Sequence, residues 1–143
     1  MARILIVDDS ITYRQVMKEA LVEGGHTIVG EGEDGVQGIE LYKELKPDIT
    51  TMDITMPNLD GLAALKFIME YDPNATVIMV SSTAQSRKLA EAANLGAVDF
   101  LAKPFESEKV LGIIDRLMSA FSEDNAGTEI DLEDLDFLNL DDF

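Results

Sequence analysis

The sequence contains no cysteine, so disulfide bonds and thiolate metal sites are excluded. No apolar run approaches the roughly 20 residues that a membrane-spanning helix needs. The apolar run near the N-terminus, in MARILIVDDS, is too short for a secretory signal peptide and ends in acidic residues. Together these absences predict a cytoplasmic protein.

Basic residues are scarce: 11 Lys and Arg stand against 28 Asp and Glu, a net charge of −17. Such a charge argues against nucleic acid as a direct partner, because phosphate backbones attract the opposite field. The acids are unevenly spread, since residues 123–143 hold nine of them and no Lys or Arg. We therefore expect one compact domain over residues 1–122 and a separate acidic tail over residues 123–143.

Apolar runs typical of buried strands alternate with stretches typical of amphipathic helices. The predicted strands are 3–7, 27–29, 49–52, 76–80 and 99–102. The predicted helices are about 12–23, 36–45, 62–69, 86–95 and one capped by Ser107, with an apolar stripe at Val110, Ile113, Ile114, Leu117 and Phe121. Five βα units in series predict an α/β protein. Its parallel five-stranded sheet is doubly wound, in the order 2-1-3-4-5, with five helices.

Polar residues follow four of the five predicted strands directly: Asp8 and Asp9, then Asp53, then Ser81 and Ser82, then Lys103 and Pro104. In a doubly wound sheet these positions converge on one edge. Clustered carboxylates repel each other unless a cation lies among them, and oxygen ligands suit Mg²⁺, with Mn²⁺ as a substitute. A hydroxyl and an ammonium beside such an ion suit a phosphoryl group, so the edge could form an aspartyl phosphate.

One glycine pattern suggests a different function. Gly30, Gly32 and Gly35, in GEGEDG, have the spacing of a dinucleotide-binding loop, and Asp53 stands where a ribose ligand could be. The intervening acids would repel a pyrophosphate at a helix N-terminus. We therefore interpret GEGEDG as a glycine-rich loop whose acids favour the dipole of the following helix.

Four motifs in order, IVDDS, MDITMPNLDG, VSST and GAVDFLAKPF, resemble the receiver domain of two-component response regulators. The resemblance covers residues 3 to about 121 and is greatest to the single-domain chemotaxis regulators of CheY type. It implies the flavodoxin-like receiver fold and phosphorylation of the protein by a histidine kinase.

The resemblance also implies roles for individual residues. Asp53 is the expected phosphoacceptor. Mg²⁺ is expected to bind directly to Asp9, Asp53 and the backbone carbonyl of Thr55, and to be held by Asp8 mainly through water. Ser81 and Lys103 are expected to contact the phosphoryl group, the latter before a cis peptide bond to Pro104.

Further implied roles concern signalling. The amide of Ser82 is expected to assist at the phosphoryl group, while Thr55 and Thr83 tune the lifetime of the phosphate. Phe100 takes the position of the switch aromatic residue and lacks the hydroxyl of a tyrosine. Together with Ser81 and Lys103 it would reshape the face formed by the fourth helix, fifth strand and fifth helix.

The expected output is protein contact, most simply with the flagellar switch in chemotaxis. A phosphorelay intermediate, a phosphate sink and a phosphate-independent pseudo-receiver remain alternatives. The protein is not expected to be an enzyme beyond its own phosphorylation and dephosphorylation. Haloacid-dehalogenase phosphatases place a second aspartate where Thr55 stands, which argues against that class.

The tail is rich in apolar residues as well as acids: Ile130, Leu132, Leu135, Phe137, Leu138, Leu140 and Phe143. It is either disordered without a role or a short motif that folds on binding. Its stretch TEIDLEDLDFL weakly resembles the peptide of the flagellar switch protein, so the tail could dock on the protein's own signalling face. Elsewhere, His26 is interpreted as a surface residue and the methionines at 52, 56, 69 and 79 as core.

Overall fold

The computed structural model describes residues 1–82 and 86–125. Thr83 and the part of the tail from residue 126 onward lie outside the described residues. Five strands alternate with five helices: β1 Arg3–Val7, α1 Ile11–Glu23, β2 Thr27–Gly32, α2 Gly35–Leu45, β3 Ile49–Asp53, α3 Gly61–Tyr71, β4 Val77–Ser81, α4 Ser86–Leu95, β5 Asp99–Ala102 and α5 Ser107–Asn125.

The strands form one parallel sheet in the order β2-β1-β3-β4-β5, which confirms the predicted topology. Side chains alternate across the sheet because the period of a strand is two residues. Ile4 and Ile6 of β1 pack with α1 and α5, while Leu5 and Val7 pack with α2, α3 and α4. This double burial explains why four consecutive residues are apolar in β1 and again in β4.

The first residues of the helices are fixed by polar side chains in the loops that follow the strands. Ser10 accepts a hydrogen bond from the amide of Tyr13, Asp34 from that of Gln37, and Asp60 from that of Ala63. Each cap satisfies an amide that has no partner within its helix. Because Ser10 lies three residues beyond β1, its cap also holds the start of α1 close to the end of that strand.

The interpretation of GEGEDG as a loop is wrong for its first half. Strand β2 extends to Gly32, with Gly30 beside Leu5 and Gly32 beside Val7 of β1. Only residues 33 and 34 connect β2 to α2. The two strand glycines therefore cannot form a phosphate-binding loop at the N-terminus of α2.

His26 is also placed differently from the expectation, because it is buried rather than at the surface. Its Nδ1 accepts a hydrogen bond from the backbone amide of Ala2 at 3.1 Å, and its Nε2 lies 3.8 Å from Oδ1 of Asp115. The ring thus joins the start of β1 to α5. Short-range sequence patterning could not reveal this, since the partners are distant in sequence.

Other local predictions are confirmed or adjusted. Met52, Met56 and Met79 are buried, and Met69 packs against the same core. The apolar stripe of α5 packs against the sheet, as predicted. The prediction of Ser107 as the N-cap is wrong by one residue: Ser107 is the first residue of the helix, and the carbonyl of Glu106 accepts the first hydrogen bonds.

Helix α5 runs to Asn125, three residues beyond the expected domain boundary at residue 122. No helix among residues 1–82 and 86–125 combines the length and apolar character needed to cross a bilayer.

Gly61 is required by a close backbone contact at the end of β3. A Cβ atom there would lie 1.9 Å from the Asp53 carbonyl oxygen, and the Gly61 amide donates to the Ile54 carbonyl at 2.7 Å. We predict that Gly61→Ala lowers the free energy of unfolding by about 2–4 kcal/mol in urea denaturation, because backbone must move to relieve the overlap.

Gly112→Ala is the matched control for this prediction. A Cβ at the exposed helical Gly112 meets nothing within 4 Å, so the change should stabilise the protein by about 0.5–1 kcal/mol. Equal effects of the two substitutions would contradict the assigned backbone contact.

Candidate functional site

The sheet brings the polar strand ends together as expected. Strands β1, β3, β4 and β5 are adjacent, with Asp53 paired to Val80 and Ser81 paired to Ala102. Asp8 follows β1, Asp53 ends β3, Ser81 ends β4, and Lys103 follows β5. All four therefore lie at the carboxyl edge of one sheet, where ligands bind in open α/β folds.

Three carboxylates form a cluster at this edge. Asp8, Asp9 and Asp53 each offer an oxygen, and these oxygens lie within 4.8 Å of one another. Asp8 and Asp53 are each only 6% exposed, whereas Asp9 is open to solvent. An oxygen-only set with one open side suits a hard divalent cation such as Mg²⁺.

The Lys103 side chain lies across the cluster and is 5% exposed. Its ammonium is 2.6 Å from Oδ2 of Asp8 and 3.3 Å from Oδ2 of Asp53. The Lys103 amide donates to the Ser81 carbonyl at 2.8 Å, and the peptide bond to Pro104 is cis, as predicted. The backbone at the end of β5 therefore aims the ammonium into the carboxylates.

The electrostatics of the cluster show in the pKa of two groups. Burial, and then repulsion by Asp8, raises the pKa of Asp53 to about 6, although Lys103 opposes the change. Burial alone would lower the pKa of Lys103, but its contacts with Asp8 and Asp53 outweigh burial and raise it. Burial and Asp8 thus disfavour the charged form of Asp53, and a metal cation bound beside it would favour that form.

The remaining predicted site residues differ in their exposure to solvent. Ser81 is buried at the end of β4, and Ser82 beyond it is exposed. Thr55 lies in the loop after β3 with an exposed side chain. Phe100 of β5 is half-buried and packs against the core shared by α2, α3 and α4.

Two neighbours of the cluster did not emerge from the sequence. The buried Arg14 donates from Nη1 to the Asp8 carbonyl at 2.7 Å, and its guanidinium lies 3.6 Å from both Glu31 and Glu33. These acids of GEGEDG therefore pair with Arg14, and Asp34 is the acid that caps α2. The second neighbour is Tyr13, whose ring centroid lies 4.2 Å from the Lys103 ammonium.

Comparison with known proteins agrees with this geometry. The family described as response regulator receiver domain matches residues 4–115. The chain therefore belongs to the response regulator receiver domain family. Receiver domains of CheY type are generally signalling domains rather than enzymes, and receiver domains bind Mg²⁺ in an acidic pocket of the kind that Asp8, Asp9 and Asp53 form.

Within the family, this chain is CheY-like. It is 45% identical over 117 residues to the chemotaxis protein CheY of Bacillus subtilis, covering 82% of this chain and 98% of the relative. It is also 48% identical over 118 residues to the B. subtilis protein named CcdB, with the same coverage. Among solved structures, a CheX–CheY–BeF₃–Mg²⁺ complex from Borrelia burgdorferi matches with a TM-score of 0.76 and 36% identity, covering 83% of this chain and 88% of that chain.

The raised pKa of Asp53 gives a test in the metal-free protein. An aspartate in the unfolded chain has a pKa near 3.8, whereas Asp53 in the folded protein keeps its proton up to about pH 6. Above pH 6 the charged Asp53 carboxylate therefore destabilises the folded state. We expect Asp53→Asn to raise the free energy of unfolding by about 1–2 kcal/mol near pH 8, and by much less near pH 4.

Urea denaturation in EDTA at the two pH values measures this difference. Glu70→Gln, at an exposed carboxylate of α3 outside the cluster, is the control. A stabilisation by Asp53→Asn that is the same at both pH values would contradict the assigned repulsion.

Proposed function

We propose that the protein is a phosphorylation-activated single-domain response regulator that accepts a phosphoryl group on Asp53 from a histidine kinase. The observation that carries this proposal is the Lys103 ammonium held between the buried carboxylates of Asp8 and Asp53. The proposed receiver domain is residues 1–122, which the family match over residues 4–115 supports, and residues 123–143 form an appended acidic tail.

In the proposed reaction, an Oδ atom of Asp53 attacks the phosphorus of a phosphohistidine. The P–O bond forms as the P–N bond breaks, and the imidazole of the kinase leaves with the electron pair. Mg²⁺ held by Asp8, Asp9, Asp53 and the Thr55 carbonyl would supply charge neutralisation for the incoming phosphoryl group. The protein thereby catalyses only its own phosphorylation and, with water as acceptor, its own dephosphorylation.

Groups at the ends of β4 and β5 would hold the product. Ser81 is within the buried edge beside Asp53, and Lys103 already reaches Asp53, so both can contact phosphoryl oxygens. The amide of Ser82 is a third donor. Thr55 and Thr83 would flank the attacking water and thereby set the lifetime of the phosphate.

The proposed switch follows from the charge that phosphorylation adds, about −1.5 to −2, together with three acceptors. Lys103 would exchange a carboxylate contact for a phosphoryl oxygen, and Ser81 would move toward the same group. Phe100 on the neighbouring strand would follow inward. The face of α4, β5 and α5 would then present a different surface to a protein target.

Chemotaxis is the proposed pathway, with the flagellar switch as the target of this face. The identities of 42–48% to relatives that include several chemotaxis CheY proteins support it. The complex from B. burgdorferi supports direct contact with another protein, since a CheY there is joined to CheX. The tail remains a candidate internal ligand of the same face.

Phosphorylation is tested with acetyl phosphate and Mg²⁺. We expect one phosphoryl group per molecule in the wild type and in Glu70→Gln, and none in Asp53→Asn, because that amide cannot act as the nucleophile. Intact-mass measurement gives the stoichiometry, and EDTA should abolish it.

Labelling that persists in Asp53→Asn would place the acceptor elsewhere. No labelling of the wild type by acetyl phosphate or by a phosphorylated histidine kinase would sink the proposed function in favour of a phosphate-independent interaction module.

A further inference from the structure

Tyr13 lies beside the cluster although no strand end carries it. It is the third residue of α1, and its amide donates to Oγ of Ser10 at 3.2 Å. This cap fixes the first turn of α1 next to the end of β1. From there the Tyr13 ring lies over the Lys103 side chain, with 4.2 Å between its centroid and the ammonium.

The ring differs in kind from the other partners of Lys103. Asp8 and Asp53 hold the ammonium at 2.6 and 3.3 Å through their carboxylate oxygens. Both carboxylates are the groups that a divalent ion and a phosphoryl group would engage. The attraction of an ammonium to an aromatic face needs no oxygen atom and tolerates small changes of direction. The ring contact can therefore persist while the ammonium exchanges its oxygen partners.

The Tyr13 ring also contacts a second aromatic ring, that of Phe105. Its centroid lies 6.0 Å from that of Phe105, at an interplanar angle of 42°. Phe105 follows Lys103 and Pro104 and packs against the core under α1 and α5. The Tyr13 ring is thus held by its own helix and by Phe105, and the fixed position of the ring restricts the directions that the Lys103 side chain can take.

We propose that Tyr13 is a positioning residue for Lys103: its ring holds the ammonium at the sheet edge, aimed at the group bound on Asp53, in both the resting and the phosphorylated protein. The inference rests on the proposed function, because it assigns Lys103 a phosphoryl group to meet. Tyr13 itself touches no reacting atom and acts only through the lysine.

Beryllofluoride with Mg²⁺ is a suitable probe, since a solved CheY relative is described in complex with both. Binding to the full chain is followed by titration for the wild type, Tyr13→Phe and Tyr13→Leu. Phe keeps the aromatic face, so its dissociation constant should stay within about twofold of the wild type. Leu removes the face, and the dissociation constant should rise by about fivefold.

Tyr71→Leu is the matched control. Tyr71 also has a lysine ammonium over its ring, that of Lys43 at 5.2 Å, but it lies on the exposed side of α3. Removing this pair should leave beryllofluoride affinity unchanged. An equal loss in Tyr71→Leu would show that any loss of an aromatic ring weakens binding, and it would overturn the proposal.

A double-mutant cycle separates positioning from general packing. In a Lys103→Met background, Tyr13→Leu should cause no further loss of affinity, because the group that it positions is gone. An undiminished fivefold loss in that background, or unchanged binding by Tyr13→Leu alone, overturns the role of Tyr13 while leaving the proposed function intact. A wild type that binds no beryllofluoride at any Mg²⁺ concentration overturns both.

Discussion

The central constraint of the structure is the burial of two mutually repelling carboxylates, those of Asp8 and Asp53, beside the Lys103 ammonium. Burial and this repulsion raise the pKa of Asp53 to about 6, and the Lys103 ammonium offsets only part of the effect. A charged group kept this way costs stability, so the surrounding fold must hold it in place. This repulsion suits the edge to binding a divalent cation, because the cation would relieve it. In the proposed function, an incoming phosphoryl group would give Lys103 a new partner.

The rest of the molecule can be understood as the support for that edge. Arg14 fixes the end of β1 through the Asp8 carbonyl and is itself held near Glu31 and Glu33. Gly61 lets the start of α3 approach the backbone of Asp53. The direction of the Lys103 side chain is set by a hydrogen bond from its backbone amide to the Ser81 carbonyl. Strong packing on both faces of the sheet supplies the stability that the clustered charges remove.

The sequence predicted those features that follow from the position of residues along single strands. The alternation of strand-like apolar runs with helix-like stretches predicted the order of the sheet. The polar residues that follow the strands predicted which side chains meet at the carboxyl edge of the sheet. Features that depend on pairing across the fold were missed. Strand β2 reaches Gly32 because β1 extends alongside it, and His26 is buried because the Ala2 amide and α5 surround it. The sequence did not indicate the contacts of Tyr13 and Arg14, since nothing local shows that α1 begins directly beside the cluster.

The central claim is that Asp53 forms an acyl phosphate at this edge. Borohydride reduces an acyl phosphate to an alcohol, which would convert a phosphorylated Asp53 to homoserine. The most direct measurement is therefore peptide mass spectrometry after treatment with a phosphodonor, Mg²⁺ and borohydride. The account predicts homoserine at residue 53 and unmodified aspartate at residues 8 and 9. Homoserine at Asp8 or Asp9, or at none of the three, would contradict it.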